Sequence, residues 1–334
     1  MRALWFMNLM AAILLAGQAG SADYRLEVIQ RIPAAAARER GLHRVAVCPD
    51  GTWVITHNSG SATVVDAGGS VRFSGSGLEA LAEVTASTCD AANQLWTGGA
   101  GTIRRFEISS SGEPRLQQTI RAGGGANRIL AAGDQLYLLG LARINEKHVI
   151  LRRFSLRDGA PAGVIPVDLP VWSGKTVNQL VLNGSLFIAG QDLIYVPANP
   201  FEFWRFDRDG RRLEVKRPKL PHFENADLDA LRLGPARPPR SFDWAFNALP
   251  LPDGRIVVQL MKGTDPERPP ATTAPNNFLA LFDSNLELLA GNVPADEIGT
   301  AALMIGSDSS GNLCFSDLSV SGSSSLIKAR LVNR

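Results

Sequence analysis

Residues 48–55 read Cys-Pro-Asp-Gly-Thr-Trp-Val-Ile, a turn followed by an apolar strand. An Asp-Gly pair supplies the positive φ that a tight hairpin requires. The short apolar stretch at residues 45–47 precedes the turn. Apolar stretches on both sides of a turn predict two paired antiparallel strands.

This turn-then-strand phrase occurs six times along the chain. It stands at Gly51-Thr52-Trp53, Asn93-Gln94-Leu95, Asp134-Gln135-Leu136, Gly184-Ser185-Leu186, Gly254-Arg255-Ile256 and Gly311-Asn312-Leu313. The spacing between successive phrases runs from 41 to 70 residues, and one propeller blade takes about 40 to 50 residues without insertions. The repeat therefore predicts six blades.

A third strand follows each hairpin, and in four units it ends in Phe: Phe106, Phe154, Phe206 and Phe282. A polar turn and a weaker outer strand come next, so each unit has four antiparallel strands. The last unit has only three strands before the chain ends. Residues 24–32 resemble an outer strand and are expected to complete that blade beside residues 326–332, which removes the exposed edge.

The sequence thus predicts an all-β, six-bladed β-propeller with four-stranded antiparallel blades, in which the N-terminal strand closes the last blade. The Pro-Asp-Gly hairpins at Pro49 and Pro252 and the phrase Phe206-Asp207-Arg208-Asp209-Gly210 resemble six-bladed propellers of the NHL-like or TolB-like type. That resemblance covers nearly the whole mature chain and is architectural. It implies a fold that serves both binding scaffolds and lactonases, so it does not determine the function.

The composition agrees with this interpretation and excludes other classes. The chain of 334 residues contains 32 Gly and 20 Pro, and 20% of its residues are charged, which suits many short strands joined by tight turns. A net charge of +2 without blocks of like charge argues against a nucleic-acid-binding surface.

Residues 1–22 have the layout of a secretory signal peptide: Arg2, an apolar run through Leu15, then small residues up to Ala22. Cleavage after Ala22 leaves one propeller domain, residues 23–334, in the periplasm or outside the cell. The apolar run is too short to span a membrane, so no stable membrane anchor is expected.

The three cysteines, Cys48, Cys89 and Cys314, lack the spacing of a thiolate metal site. Cys48 and Cys89 end equivalent inner strands of adjacent blades. We expect those strands to be farther apart than the ~7 Å that a disulfide tolerates between Cα atoms, which predicts free thiols.

Known phosphate-binding, calcium-binding and catalytic motifs are incomplete in this sequence. Ser173-Gly174-Lys175-Thr176 ends like a phosphate-binding loop, but Leu169 replaces the required Gly and a strand is expected to follow. The phrase at Asp207 lacks the further acidic ligands of a calcium loop and predicts a hairpin turn. No Gly-x-Ser-x-Gly occurs, and four His residues indicate no triad, so no catalytic residue is assigned.

The long insertions all fall in connections that emerge on one side of the ring, from second to third strand and from outer strand to the next inner strand. We call this side the long-loop face. Its insertions predict a ligand site at the central funnel, built from Trp172, Tyr195, His222, Arg240, Asp243 and Trp244. The alternative is that Phe242, Trp244 and Phe246 only pin the insertion at residues 218–247 to the ring.

Two functions fit this sequence. The first is an exported scaffold that binds an unidentified small molecule or partner protein on the long-loop face of blades 3 to 5, with no cofactor. The second is a metal-dependent hydrolase or lactonase-like enzyme in which Glu224, Asp227 and Asp229 hold a divalent cation such as calcium in the funnel mouth. Those carboxylates also fit a short solvated helix, since residues 225–233 have helical composition.

Overall fold

A computed structural model describes residues 24–33, 43–99, 101–169, 175–233, 241–263, 277–299, 302–317 and 324–333. Blades 1 to 3 consist, in order from inner to outer strand, of β2 (His43–Val47), β3 (Trp53–His57), β4 (Ser61–Val65) and β5 (Val71–Gly75); β6 (Ala86–Cys89), β7 (Leu95–Gly99), β8 (Thr102–Ile108) and β9 (Pro114–Arg121); and β10 (Arg128–Ala132), β11 (Gln135–Ile144), β12 (Lys147–Ser155) and β13 (Pro161–Ile165).

Blades 4 to 6 have the same order. Their strands are β14 (Ser185–Ala189), β15 (Asp192–Val196), β16 (Phe203–Phe206) and β17 (Arg212–Lys216); β18 (Trp244–Pro250), β19 (Ile256–Met261), β20 (Asn277–Phe282) and β21 (Leu288–Pro294); and β22 (Leu303–Ser307), β23 (Leu313–Asp317), β24 (Ser325–Asn333) and β1 (Tyr24–Pro33). The prediction of six four-stranded antiparallel blades is confirmed.

The ring is closed by the two ends of the chain. β1 pairs with β24 from Tyr24 opposite Asn333 to Pro33 opposite Ser325, as the sequence predicts. The inner strands β2, β6, β10, β14, β18 and β22 each contact the next, and β22 contacts β2. This circuit places the six inner strands around one central channel.

The core lies between adjacent blades. The second strands β3 and β7 are buried along their whole length, because a neighbouring blade covers each of their faces. The outer strands β5 and β13 are mostly exposed. Aromatic side chains fill the space between blades 4 and 5, where the ring centroids of Phe203 and Phe282 are 5.0 Å apart.

Two α-helices interrupt the strands in the described residues, α1 (Lys175–Leu182) and α2 (Leu228–Leu233). Short 3₁₀ helices occur at Glu79–Leu81 and Asp296–Ile298. Helix α1 corrects the expectation of a strand after Lys175. Val177, Leu180 and Val181 are buried against the blades, at the i, i+3, i+4 spacing of an amphipathic helix.

Because this segment is a helix, the fourth of the six repeated phrases has a different place in its blade from the one predicted. Gly184-Ser185-Leu186 precedes the inner strand β14, and the hairpin turn lies at Gly190 and Gln191 between β14 and β15. The sequence interpretation therefore placed this blade one strand too early. The third strand at Phe203–Phe206 was predicted correctly.

Cys48 and Cys89 form a disulfide, with their Cα atoms 4.9 Å apart. The prediction of free thiols for this pair is wrong, because the inner strands β2 and β6 pack directly against each other. The bond links blade 1 to blade 2. Cys314 is free and buried, and burial raises the pKa of its thiol to about 12.

The predicted signal peptide, residues 1–22, lies outside the described residues. Within the described ranges, no helix has the length and apolar character needed to cross a membrane.

Candidate functional site

The inner strands all begin at the long-loop face, because each follows a connection from the preceding outer strand. Their first few residues, or the residues just before them, surround the opening of the central channel. We call this group the channel mouth; it comprises Arg44, Thr85, Asn127, Arg128, Asn183, Gly184, Phe246, Asn247 and Met304.

Hydrogen bonds between successive blades hold the mouth together. Arg44 Nε donates to the Thr85 carbonyl at 2.5 Å, and Thr85 Oγ1 donates to the Ala126 carbonyl at 2.5 Å. Asn127 Nδ2 donates to Asn183 Oδ1 at 3.1 Å. The chain of contacts continues where Ser185 Oγ donates to Asn247 Oδ1 at 3.1 Å and Asn247 Nδ2 donates to the Met304 carbonyl at 3.0 Å. These bonds join all six blades at the mouth.

Arg128 reaches farther than the other mouth residues. It begins β10 in blade 3, and its Nε donates to the Gly184 carbonyl of the next blade at 3.0 Å. Its Nη2 donates to the Phe246 carbonyl of blade 5 at 3.2 Å, and its guanidinium lies 5.5 Å from the centroid of the Phe246 ring. The side chain therefore extends across the mouth past blade 4.

The electrostatic environment of Arg128 is unfavourable to its charge. Burial, with a smaller contribution from the positive charge of Arg44, lowers the pKa of Arg128 to about 10. Burial also lowers the pKa of Arg44. Two guanidinium groups from alternate blades thus share one mouth.

A third arginine binds the connection that leads to Arg128. Arg152 on β12 is 2% exposed and donates from Nη2 to the Gly125 carbonyl at 2.7 Å and from Nη1 to the Ala122 carbonyl. Its acceptors belong to the connection that leads into β10. Burial lowers the pKa of Arg152 to about 10. The main-chain oxygens of this connection replace part of the hydration that the charge loses.

His57 and Ser59 form a local turn at the same end of blade 1. The His57 Nδ1 atom accepts a hydrogen bond from the Ser59 main-chain amide at 3.1 Å and lies 2.6 Å from Ser59 Oγ. Since the main-chain amide already occupies this nitrogen, the arrangement is that of a turn, in agreement with a structural role for His57.

Tyr195 was predicted to lie in the ligand site, and the structure places it in the core. It belongs to strand β15, is fully buried, and donates its hydroxyl to the Val181 carbonyl of helix α1 at 2.7 Å. Burial, together with the charge of Glu202, raises the pKa of Tyr195 well above its ordinary value. Because the sequence analysis placed blade 4 one strand too early, it put Tyr195 in the loop before the third strand.

Asp243 organises the base of the long insertion. It is 6% exposed, and its carboxylate accepts hydrogen bonds from the Glu224 amide at 2.7 Å, the Gly263 amide at 2.9 Å and Lys262 Nζ at 2.5 Å. Lys262 Nζ also donates to the His222 carbonyl at 2.7 Å. We call Asp243, Lys262, Glu224 and Asn199 the insertion anchor, because Asn199 Nδ2 also donates to the Glu224 and Asp243 carbonyls.

The other predicted ligand-binding residues are dispersed. His222 is exposed beside the insertion anchor, and Trp244 is half-buried, packed against the cluster that contains helix α1. Trp172 and Arg240 lie outside the described residues. The structure thus brings His222 and Asp243 close together through Lys262.

The three carboxylates that were predicted to hold a divalent cation, if the protein is an enzyme, each have a separate local setting. Glu224 is exposed and held by its main chain, Asp229 lies in the first turn of α2, and Asp227 Oδ1 accepts a hydrogen bond from the Ala230 amide at 2.9 Å. The short helix expected around them is present. In the described part of the chain, no three His, Cys, Asp or Glu residues are grouped as a metal ion would require.

On the opposite face, a cleft of about 400 Å³ lies between blades 1 and 2. Its polar groups bind one another across the blade boundary: Asp50 donates its amide to Asn93 Oδ1 at 3.0 Å, and Arg72 donates to the Ser110 carbonyl. These bonds connect the two blades. The channel mouth differs because its arginines, Arg44 and Arg128, are partly buried, whereas Arg72 in the cleft is exposed.

Sequence reasoning missed Arg44, Arg128 and Arg152. The signal was present, since Arg44 and Arg128 stand at the long-loop end of predicted inner strands, where side chains of different blades converge. Arg152 occupies a strand position where apolar residues are expected. A charged residue in such a position indicates a specific partner or function.

Six antiparallel sheets closed around a polar-mouthed channel define a six-bladed β-propeller. No protein family profile and no curated protein sequence matches this chain. Solved structures are similar in fold. A protein of Bacteroides fragilis classed as exported has a TM-score of 0.63 at 11% identity, covering 92% of this chain and 96% of that one.

Two enzymes have the same architecture. A gluconolactonase from Xanthomonas campestris has a TM-score of 0.52 at 15% identity, covering 92% of this chain and 95% of its own. A streptogramin B lyase has a TM-score of 0.51 at 11% identity, covering 92% of this chain and 98% of its own. At these identities the similarity shows the fold alone.

Proposed function

We propose that this protein is an exported binding protein that holds a small ligand at its channel mouth. The observation that carries the proposal is the position of Arg128, which crosses the mouth from blade 3 to blade 5. A funnel lined by a few convergent polar groups is the usual form of a small-ligand site.

The surrounding elements support this location. Trp244 begins β18 two residues before Phe246, so the long insertion leads directly into the mouth. The insertion anchor holds the start of that strand in place through Asp243. Export is proposed from the signal-peptide pattern of residues 1–22 and is supported by the exported protein of similar fold.

A ligand-observed NMR screen of the mature chain tests the proposal. The library contains carboxylic acids, their primary amides and amines of fragment size. We expect hits that disappear in Gly125→Trp, since Gly125 is exposed just before the mouth and an added Cβ meets no atom closer than 3.7 Å. The indole then occupies the mouth without disturbing the strands.

The matched control is Ser110→Trp, which puts the same side chain on an exposed position of the opposite face, beside the cleft between blades 1 and 2. Hits that survive Gly125→Trp contradict the proposal. Loss in Ser110→Trp alone assigns binding to the cleft.

A further inference from the structure

Arg128, at the channel mouth, has hydrogen-bonding capacity that the described residues do not use. A guanidinium has five N–H donors. Three bonds involve Arg128, to the carbonyls of Gly184 at 3.0 Å, Asn127 at 3.4 Å and Phe246 at 3.2 Å. Since Nη1 and Nη2 each use one N–H in these bonds, each has a second N–H for which the described residues supply no acceptor.

The charge of Arg128 has no carboxylate partner in the described part of the chain. All three acceptors are neutral main-chain oxygens, and no ion pair joins Arg128 to a carboxylate of the residues that the structure describes. Arg152, on the third strand of the same blade, is likewise bonded only to carbonyls among these residues. Burial lowers the pKa of Arg128 to about 10, so the folded protein holds this positive charge at the mouth against a solvation cost.

We infer that the ligand of the channel mouth carries an oxyanion, a carboxylate or a phosphate, that pairs end-on with the two free N–H groups of Arg128. This inference rests on the proposed function. A planar guanidinium matches both oxyanions in bidentate geometry, and such pairs are the strongest hydrogen bonds that proteins make. The anion would also offset the repulsion between Arg128 and Arg44.

Acid and amide pairs provide the test, because a carboxylic acid and its primary amide have nearly the same shape but differ in charge. Isothermal titration measures both members of each pair found in the screen, and inorganic phosphate serves as a separate probe. We expect the acid to bind about tenfold to hundredfold more tightly than its amide, the range of a charge-assisted hydrogen-bond pair. Competition by phosphate distinguishes a phosphate preference from a carboxylate preference.

Arg128→Gln should reduce the acid-to-amide ratio to about one, because the acid loses the charged partner that the amide never had. Arg115→Gln is the matched control, since Arg115 lies on the outer strand β9 with its side chain 63% exposed, and it should leave the ratio intact. Arg128→Lys retains the charge without the fork and should give an intermediate ratio.

A measurement on the unmutated protein keeps the test independent of folding of the variants. Added sodium chloride should weaken binding of the acids and leave that of the amides unchanged. If acids and amides bind with equal affinity and Gly125→Trp abolishes the binding of both, the inference of an oxyanion is wrong and the proposed function stands. Absence of any hit that Gly125→Trp removes overturns both.

Discussion

At the scale of single residues, aspartates stabilise the tight turns that join the strands of each blade. Asp66, Asp90, Asp283 and Asp308 each accept main-chain N–H bonds from the residues two and four positions later. This local bond stabilises a turn without help from the rest of the fold. Asp207, considered as part of a calcium loop, does the same with the Arg211 amide at 2.8 Å.

Asp308 also has a partner from another strand. Its carboxylate lies 3.2 Å from Lys328 Nζ, and both side chains are almost fully buried. Burial alone would raise the pKa of Asp308, but the bonds from Asn312 and Lys328 outweigh it, and the pKa is lowered. A carboxyl with a lowered pKa stabilises the fold above its ordinary pKa of about 4, and this contribution disappears as the pH falls through the folded value.

We therefore expect Asp308→Asn to lower the free energy of unfolding at pH 7 by about 2 kcal/mol. The difference from the unmutated protein should shrink as the pH falls below about 4. Urea denaturation between pH 3 and pH 7 measures it. Glu113→Asn is the control, because Glu113 is exposed in its ion pair with Arg115. A loss that is constant down to pH 3 would contradict the pKa argument.

At the scale of elements, the insertion anchor determines where the long connection of blades 4 and 5 sits. Asn199 contributes from the connection between β15 and β16, and its Oδ1 accepts the Ala226 amide at 2.7 Å. Asp243, just before β18, joins the first part of the insertion at Glu224 to the residue Gly263 that follows β19. The long connection is thus tied to blade 4 and blade 5 by buried polar groups.

Asp243→Ala removes one acceptor from three donors, of which Lys262 is charged. We expect a loss of about 3 kcal/mol in the free energy of unfolding, because a partly buried cation and two amides lose this buried acceptor. Hydrogen exchange should accelerate at residues 221–226. Asp209→Ala, whose side chain is 97% exposed near Arg153, should cost less than about 0.5 kcal/mol. Similar losses in the two variants would show that Asp243 is not an anchor.

Glycines show how one element constrains another. Gly159 and Gly210 have φ values of +74° and +85° in the turns before the outer strands. A Cβ on Gly159 would approach Ile120 to 2.5 Å, and one on Gly210 would approach Ile165 to 2.7 Å. The turn chemistry is visible in the sequence, whereas the contact with the preceding blade is not.

At the scale of the whole molecule, ring closure depends on strand β1. Leu26 and Ile32 of this strand are 2% and 4% exposed against the last blade and its neighbours. Deleting residues 24–33 leaves β24 with a row of unpaired main-chain groups. We expect this chain to aggregate and to melt at a lower temperature than the chain starting at Asp23. Size-exclusion chromatography and a thermal melt check the result; a monomer of unchanged stability would show that closure does not need β1.

The disulfide is a second constraint on the ring. Cys48 and Cys89 are 41 residues apart in sequence, and closing a loop of that length stabilises a fold by about 4 kcal/mol in the chain-entropy estimate. We expect the double variant Cys48→Ala with Cys89→Ala to lose stability of that order. Cys314→Ala keeps the bond as the control. Intact mass with and without reduction checks that the bond forms; unmodified Cys48 and Cys89 thiols in protein purified without reductant would contradict the structure.

The sequence by itself determined what depends on neighbours along the chain. The apolar stretches, the Asp and Gly turns and the outer-strand pattern of residues 24–32 act over a few positions, so they predicted six blades and their closure. These local patterns gave a wrong assignment at blade 4, where the short apolar stretch at residues 180–182 fits a strand or a helix. The periodicity of Val177, Leu180 and Val181 separates the two only once packing against the blades is known.

Only the tertiary structure decided the candidate site. Arg128 and Phe246 are 118 positions apart, and no local pattern indicates that one crosses the mouth to the other. The same holds for the disulfide, for the burial of Tyr195 and for the three donors that converge on Asp243. Each depends on distances between blades, and these are set by how six sheets pack around a common axis.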